Sequence, residues 1–482
     1  MTRRFFIAIA GCLAATVGLN AQSFNIPANG GASLTTAGNQ PWTNSGQVRV
    51  VASPTMPAGM AVFGYRVNGT LAAEATVPAS PLTRSARIYA EFGNQVNTGL
   101  AVANSGDQPV NVSFSFVSSD GSQNRQGMLS LGPNGQTASF IDQEPFSITG
   151  TFIGTLTLTA PTPIVVIALR GLTNERSEFR ITTVPVIDLT SSAATSTAAA
   201  IFPHFAVGGG WTTQIVLVNP SDSAVSGTVA FFDSTGQASS MTVGNVTNST
   251  FSYSIPSRAS SKLVTSVAGA GTATGFIRLT PASGNISPSA IAILSYKENG
   301  VTLTEAGVSA VAPASSLRMY VETSGTTGQP GNIRTGVAIA NTSASIVFAS
   351  FELRNLSGDV VMSGAVPLPG NFQAALFLDE LPGASSVPRP FQGILRLTTG
   401  TAPISMLGLR ARYNERNEFL ITSLPAVAVS TPAATQPGIF PHFADGLGYT
   451  TQFIFFGASG EATSGSLNAY LGTGDPIVLP TR

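Results

Sequence analysis

The chain has 482 residues and no net charge, with 23 lysines and arginines against 23 aspartates and glutamates. Charged residues make up only 10% of the sequence, against about 25% in a typical globular protein. With no basic run, nucleic acid and anionic membrane surfaces are poor candidate partners. A hydrophobic content of 43% also argues against a disordered chain.

Residues 1–21 have the features of a secretion signal. The basic segment MTRR precedes the apolar segment FFIAIAGCLAATVGL, and a plausible cleavage site follows Ala21. Cleavage there would remove Cys12, which is the only cysteine. Alternatively, the segment IAGC at 9–12 resembles a lipobox, in which Cys12 would carry a lipid anchor. We expect a secreted, extracellular protein without a membrane span, because no other apolar stretch is about 20 residues long.

The remainder of the chain repeats a module of about 115 residues, a period that indicates whole domains rather than short solenoid units. IFPHFA occurs at 201 and again at 439, and RIYAEF at 87 corresponds to RMYVET at 318. FNIP at 24 corresponds to YSIP at 253, and GQVRVVASP at 46 to GFIRLTPAS at 275 with the same shift. The sequence therefore contains four copies, one of which is split between the two ends.

Each copy contains seven or so short runs rich in Val, Ile, Phe and Thr. Gly, Pro, Asn, Asp and Ser separate these runs at spacings of about 8–12 residues, which is typical of an antiparallel sandwich or barrel. Runs such as SFSF and TLTLT alternate as a half-buried strand does. We predict an all-β protein built from tandem immunoglobulin-like antiparallel β-sandwich modules.

Linker-like segments at 189–200 and 429–438 suggest where the domains divide. The expected units are a C-terminal half-module at 22–85, whole modules at 86–188, 201–312 and 317–426, and an N-terminal half-module at 439–482.

Two questions about this division stay open at the level of sequence. The halves could pair within one molecule and close a ring of four domains, or pair between molecules as head-to-tail fibres. Alternatively, domains that begin at Phe24, Met128, Phe251 and Ala365 would give four contiguous units and no halves.

The clearest polar motif is NERxEF, which occurs twice. Its members are Asn174, Glu175, Arg176, Glu178 and Phe179 in one copy, and Asn414, Glu415, Arg416, Glu418 and Phe419 in the other. The motif is expected to form the hairpin turn between the sixth and seventh strands, stabilised by Arg–Glu pairing and Asn turn chemistry. A binding site at the loop tips is the alternative interpretation. Trp211 and Tyr449, which follow the glycine-rich segments GGG and GLG, are further candidates for such a site.

Groups that would support catalysis are scarce. The two histidines, His204 and His442, occupy equivalent positions in the FPHFA motif, and each is expected to pack or hydrogen-bond there. There is no GxSxG segment, and Cys12 is lost if the signal is cleaved. We predict a protein that is not an enzyme, with no catalytic residue, cofactor or metal site.

The segments FPHFAxGxGxTTQ, TGxAxAN and NERxEFxITT resemble a group of large secreted repeat proteins of soil bacteria, of acidobacterial type. This resemblance covers essentially the whole chain after the signal and implies extracellular β-sandwich repeats of immunoglobulin-like kind, but no particular activity. The leading hypothesis is a structural, adhesive or surface-display protein, with itself or extracellular polymers as partners. The alternative is a carbohydrate- or protein-binding array, although Trp42, Trp211 and a few tyrosines are its only candidate sugar platforms.

Overall fold

The computed structural model describes residues 21–267, 271–384, 387–429, 436–457 and 461–482. The predicted all-β fold is confirmed: antiparallel strands dominate, with short 3-10 turns at Ser192–Thr195 and Leu378–Glu380. Among the described residues, no helix is long and apolar enough to cross a membrane. The expected signal, including Cys12, lies outside the described residues apart from Ala21.

The strands in chain order are β1 Gln22–Ile26, β2 Gly31–Thr35, β3 Asn44–Ser53, β4 Ala58–Val67, β5 Thr70–Pro78, β6 Thr83–Gly93, β7 Val96–Asn104, β8 Val110–Ser118, β9 Gln123–Leu131, β10 Gln136–Phe140, β11 Phe152–Thr173, β12 Phe179–Val184, β13 Val186–Asp188, β14 Ala200–Val207, β15 Trp211–Val218, β16 Val225–Asp233, β17 Met241–Val243, β18 Val246–Asn248, β19 Thr250–Ile255, β20 Ser260–Ser266, β21 Ala273–Pro281, β22 Ser289–Glu298, β23 Val301–Ser309, β24 Ser316–Ser324, β25 Ile333–Asn341, β26 Val347–Asn355, β27 Val360–Leu368, β28 Phe372–Phe377, β29 Phe391–Thr398, β30 Ser405–Tyr413, β31 Phe419–Leu424, β32 Val427–Ala428, β33 Gly438–Asp445, β34 Tyr449–Phe456, β35 Thr463–Leu471 and β36 Pro476–Ile477.

Strand burial follows the sequence pattern. In β8, the segment VNVSFSFVS buries Val110, Val112, Phe114 and Phe116, while the residues between them are exposed or half-buried. Period-two alternation places these side chains on one face of the strand, and that face joins the core.

The two ends of the chain form one sandwich together, which we call the split sandwich (22–78 and 438–477). One of its layers has the strand order β1-β35-β3-β33, and the other has the order β2-β34-β4-β5. Phe24 lies opposite Gly465 in the first layer, and Gly31 lies opposite Phe456 in the second. The ends thus complete each other within one chain, and the division that starts at Phe24 is not the one that the strands follow.

The other strands form the first (83–188), second (200–309) and third (316–428) sandwiches. In each sandwich, we call the layer that contains the opening strand the front layer. The layer that contains the hairpin of the last two long strands is the back layer. The second sandwich repeats the strand order of the split one, with β19-β16-β21-β14 in front and β20-β15-β22-β23 behind. In the first sandwich, β11 belongs to both layers, and its register shifts between Thr159 and Ile164 as it passes from one to the other.

Apolar contacts join the four sandwiches into a ring. The back layer of the first sandwich contributes Ala101 and Ile167 to the core of the split sandwich, and the back layer of the second contributes Val216 to the core of the first. Likewise, Leu407 of the third packs into the core of the second, and Met60 of the split sandwich packs into the core of the third. The front layer of each sandwich therefore packs on the back layer of the next, and the series closes on itself.

Strands β5, β12, β23 and β31, one from each sandwich, meet around the axis of this ring. The Thr183 hydroxyl donates to the Thr76 carbonyl at 2.6 Å, and the Thr304 hydroxyl donates to the Ile421 carbonyl at 3.2 Å. At Gly307, an added Cβ would lie 2.2 Å from the Thr183 carbonyl oxygen. Only glycine therefore permits this close approach of two backbones.

Candidate functional site

The NERxEF motif forms the predicted hairpin turn, between β11 and β12 in one copy and between β30 and β31 in the other. The Asn174 side-chain oxygen accepts hydrogen bonds from the amides of Arg176 (3.0 Å) and Glu178 (2.9 Å). Asn414 makes the same two bonds in the second copy. An asparagine that bonds the backbone ahead of it fixes a tight turn, so this residue determines where the following arginine and glutamate project.

The two turns come from opposite sides of the ring and bind each other. Arg176 lies 2.6 Å from Glu418, and Arg416 lies 2.6 Å from Glu178. Arg180 is 2% exposed; it pairs with Glu178 at 2.6 Å and donates to the Ala72 carbonyl of the split sandwich. The conspicuous charges of the sequence therefore form an ion-pair network that bridges three sandwiches.

The pKa values of the network's carboxylates reflect these partners. Burial raises the pKa of Glu178, but the hydrogen bond from Arg416 and the charge of Arg180 outweigh burial and lower the pKa to about 2. The pKa of Glu418 is lowered for the same reasons, with Asn414 and the two motif arginines as its hydrogen-bond donors. Both carboxylates are therefore ionised at neutral pH and paired with guanidinium groups.

The remaining motif glutamates contact adjacent sandwiches. Glu175 accepts from the Thr302 amide at 2.7 Å and pairs with Lys297 at 2.6 Å, both in the second sandwich. Glu415 accepts from the Leu71 amide at 2.7 Å, and its carboxylate also pairs with an arginine of the split sandwich at 2.6 Å. The six motif residues suggested as a loop-tip site are thus placed in contacts between sandwiches.

Trp211 and Tyr449 lie apart from that network, each in an aromatic group. Trp211 packs on Tyr296 with ring centroids 4.8 Å apart, and its edge faces Phe419 at 6.4 Å. Tyr449 stacks on Tyr65 at 4.4 Å, with the ring planes inclined by 23°. Both pairs form because β15 lies beside β22 in the second sandwich, as β34 lies beside β4 in the split one.

The group around Trp211 opens into a cleft of about 520 Å³ between the second and third sandwiches. We call it the aromatic cleft; its side chains include Trp211, Tyr296, Glu298, Arg334, Phe377, Tyr413, Asn417 and Phe419. Phe419 is the last residue of the NERxEF motif and faces Tyr413 at 5.4 Å. The volume of the aromatic cleft lies within the range of about 300–1,000 Å³ that is usual for ligand pockets.

Arg334, a cation that lines the aromatic cleft, is neutralised by its neighbours. Arg334 lies over the Phe377 ring, 3.7 Å from its centroid, and pairs with Asp379 at 2.6 Å. Burial raises the pKa of Asp379, but the hydrogen bond and charge of Arg334 outweigh burial and lower it. Across the cleft, burial followed by the charge of Glu298 raises the pKa of the Tyr296 hydroxyl, which keeps that hydroxyl protonated.

The two histidines lie where neighbouring sandwiches meet. His204 Nδ1 is 3.1 Å from the Gln373 side-chain nitrogen, and His442 Nδ1 is 3.2 Å from that of Gln136. Burial lowers the pKa of both imidazoles to about 4, so each ring is neutral at physiological pH. They make the hydrogen bonds expected from the sequence, and within the described residues no three His, Cys, Asp or Glu side chains cluster as metal ligands would.

Sequence reasoning missed most of the aromatic cleft, including Tyr296, Arg334, Phe377 and Tyr413. These side chains come from four strands that are distant in the chain, so no local motif links them. One signal was present: IRTGVAIAN places Arg334 where the matching strand VNTGLAVAN of the first sandwich has Asn97. Such a difference at a repeated position marks where one copy has acquired a distinct surface.

Comparison with known proteins adds little. No family model matches the chain, and no curated protein matches it. Among solved structures, it is similar to a structure of infectious bursal disease virus Gt strain, with 11% identity, coverage of 98% of this chain and 86% of that one, and a TM-score of 0.11. A VP2 subviral particle of the same virus has 11% identity, coverage of 94% and 82%, and a TM-score of 0.12. Superposition this poor carries no argument about fold or function.

Proposed function

We propose that this protein is a non-catalytic extracellular scaffold with a structural, adhesive or surface-display role. The observation that carries the proposal is ring closure by the chain's own ends. In the split sandwich, β1 pairs with β35 and β2 pairs with β34, so all four sandwiches are held in fixed relative positions. A closed ring of this kind presents its loops as one rigid surface.

Two features of the sequence support an extracellular role. The segment 1–21 has the composition of an export signal, and the repeats resemble secreted proteins of acidobacterial type. The neutral, weakly charged composition also suits a protein that acts outside the cell by contact rather than by attraction to charged polymers.

The scaffold could also assemble with itself, and the pairing of the two chain ends in the split sandwich allows this to be tested. The strands that would join one molecule to the next are paired within the chain, so head-to-tail assembly would require exchange of the terminal segment between molecules. Light scattering on a sizing column, with residues 22–482 over a range of concentrations, distinguishes a closed monomer from growing chains. We expect a compact monomer at all concentrations.

A circular permutant provides the matched control. Joining residue 482 to residue 22 through a glycine–serine linker, with new ends between residues 429 and 436, makes the split sandwich contiguous and leaves its contacts unchanged. The permutant and the natural order should elute identically. Chains formed only by the natural order would show that the ends pair between molecules.

The functional role itself is tested by attachment. Labelled protein is incubated with washed cells of the producing bacterium and with its extracellular material, and the bound fraction is measured after sedimentation. Saturable binding is expected. A protein that remained entirely in solution, or that turned over a substrate, would contradict the proposal.

A further inference from the structure

We propose that the aromatic cleft is a binding site for neutral oligosaccharides. The inference goes beyond a scaffold role and does not depend on ring closure. Sugar rings present an apolar C–H face together with a rim of hydroxyls, so proteins bind them with aromatic faces flanked by hydrogen-bonding groups. The aromatic cleft combines both features.

The apolar component of the cleft comes from Trp211 and Tyr296, which pack on each other at 4.8 Å and are both half-buried. Phe419 stands at right angles to Tyr296, with centroids 6.3 Å apart, and supports the pair from the third sandwich. The planes of Trp211 and Tyr296 are inclined by 35°, and Phe419 stands at 81° to Trp211, so the three rings form a corner rather than a closed cage around a small cation. The C–H face of a sugar ring can pack against an aromatic face of such a corner.

The polar component comes from side chains on both sandwiches. Glu298 supplies acceptors from the second sandwich, while the Tyr413 hydroxyl and the Asn417 amide lie across the cleft on the third. Convergent polar groups beside aromatic side chains are the usual means of fixing a ligand's orientation. Hydroxyls of a sugar can satisfy donors and acceptors alike.

The charges of the side chains that line the aromatic cleft favour the binding of neutral sugars over acidic ones. Arg334 is committed to Asp379 at 2.6 Å and is also 3.3 Å from Glu380, so it offers little to an anionic ligand. Glu298 is exposed and adds negative charge at the cleft. Uronates and sulfated sugars would meet net repulsion there.

The split and first sandwiches together offer an internal comparison. Tyr449 and Tyr65 repeat the stacked pair of Trp211 and Tyr296. At the matching positions, however, Thr173 replaces Tyr413, Val67 replaces Glu298 and Asn97 replaces Arg334. The aromatic pair is thus kept, while the carboxylate of Glu298 is replaced by an apolar side chain and Tyr413 and Arg334 by smaller polar ones. We therefore assign binding to the Trp211 side.

Tryptophan fluorescence gives a readout specific to the site. The chain has two tryptophans, and Trp42 is 57% exposed outside the cleft. In a Trp42→Phe variant, all tryptophan emission comes from Trp211. Titration with cellohexaose, xylohexaose, mannohexaose, laminarihexaose and maltohexaose should give a saturable change in emission, and reduced quenching by acrylamide, with at least one of them.

Conservative variants test the polar contacts without emptying the cleft. Tyr413→Phe and Glu298→Gln each remove one group and preserve volume, and each should weaken binding about tenfold if a ligand hydroxyl bonds there. Tyr449→Ala, in the split sandwich, should leave affinity within about twofold because it is remote from the cleft. Circular dichroism of each variant confirms that it is folded.

Three outcomes would overturn the proposal. The first is that none of the five hexasaccharides changes the emission of Trp211. The second is that a Trp211→Phe variant, which keeps Trp42, responds equally. The third is that polygalacturonate binds more tightly than every neutral sugar, which would show that the charge argument is wrong.

Discussion

Glu74→Gln should open the joint between the split and third sandwiches. Glu74 pairs with Arg410 across this joint, and the two side chains are only 7% and 4% exposed. Arg412 also lies 3.1 Å from Glu74. Burial lowers the pKa of Arg410, but Glu74 and then Glu322 outweigh burial and raise it. Because an arginine guanidinium stays protonated in proteins, Arg410 remains charged when Glu74 is replaced.

The expected cost follows from what remains after the substitution. Removing one partner of a buried ion pair costs about 3–5 kcal/mol, because the other charge is left buried without compensation. Arg410 keeps a second carboxylate, Glu322, at 3.5 Å. We therefore expect the lower end of this range, about 3 kcal/mol of unfolding free energy.

Urea unfolding, followed by far-ultraviolet circular dichroism, measures this cost, and an unchanged m-value would show that the change lies in stability. The matched control is Glu175→Gln, whose pair with Lys297 is 36% and 50% exposed, so a cost under about 1 kcal/mol is expected. Hydrogen exchange should also accelerate at 58–78 and 405–424 before it does at 83–188. If Glu74→Gln cost no more than Glu175→Gln, the reasoning about this joint would be refuted.

Three further predictions concern the ring axis and one strained turn. The pKa of Glu178 is lowered from 4.5 to about 2, so its contribution to the free energy of unfolding is complete above pH 4.5 and is lost as the pH falls towards 2. The urea midpoint should therefore fall over this pH range, and it should fall less in the Glu178→Gln variant. Gly307→Ala, which places a Cβ 2.2 Å from the Thr183 oxygen, should cost about 1–3 kcal/mol in the same urea assay, whereas Gly132→Ala, with nothing within 4 Å, should cost far less. Leu447 has a φ of +48°, so Leu447→Gly should gain about 0.5–1 kcal/mol, seen as a higher melting temperature; a lower one would argue against strain at this turn.

Much of the fold could be predicted from the sequence because strands and turns are local signals. The repeat predicts the NERxEF turn because the other module version has KENG (297–300) at the same place, and the structure has a hairpin turn there. The pairing of the ends was harder to predict, because the same strand edges would pair in the same register within one molecule or between two. Only the spatial course of the three intervening sandwiches brings residues 22–78 beside residues 438–477.

The contacts of the candidate site were even harder to predict from local sequence signals than the pairing of the chain ends. Arg416 and Glu178 are 238 positions apart, and the sequence alone predicts that each pairs with charges in its own turn. Those local pairs exist, with Arg176 at 2.8 Å from Glu178. The pairs across the axis depend on the rotation of one sandwich relative to another, which no sequence pattern encodes.

The placement of charge explains how an apolar ring acquires a single geometry. Layers of Val, Ile, Ala and Phe can pack in several offsets at similar cost, since hydrophobic contact is non-directional. Ion pairs such as Arg410 with Glu74, and Arg170 with Glu305, have almost no exposure and would leave uncompensated charges at any other offset. We infer that the few charges of this chain define the register of the ring, while the apolar layers supply most of its stability.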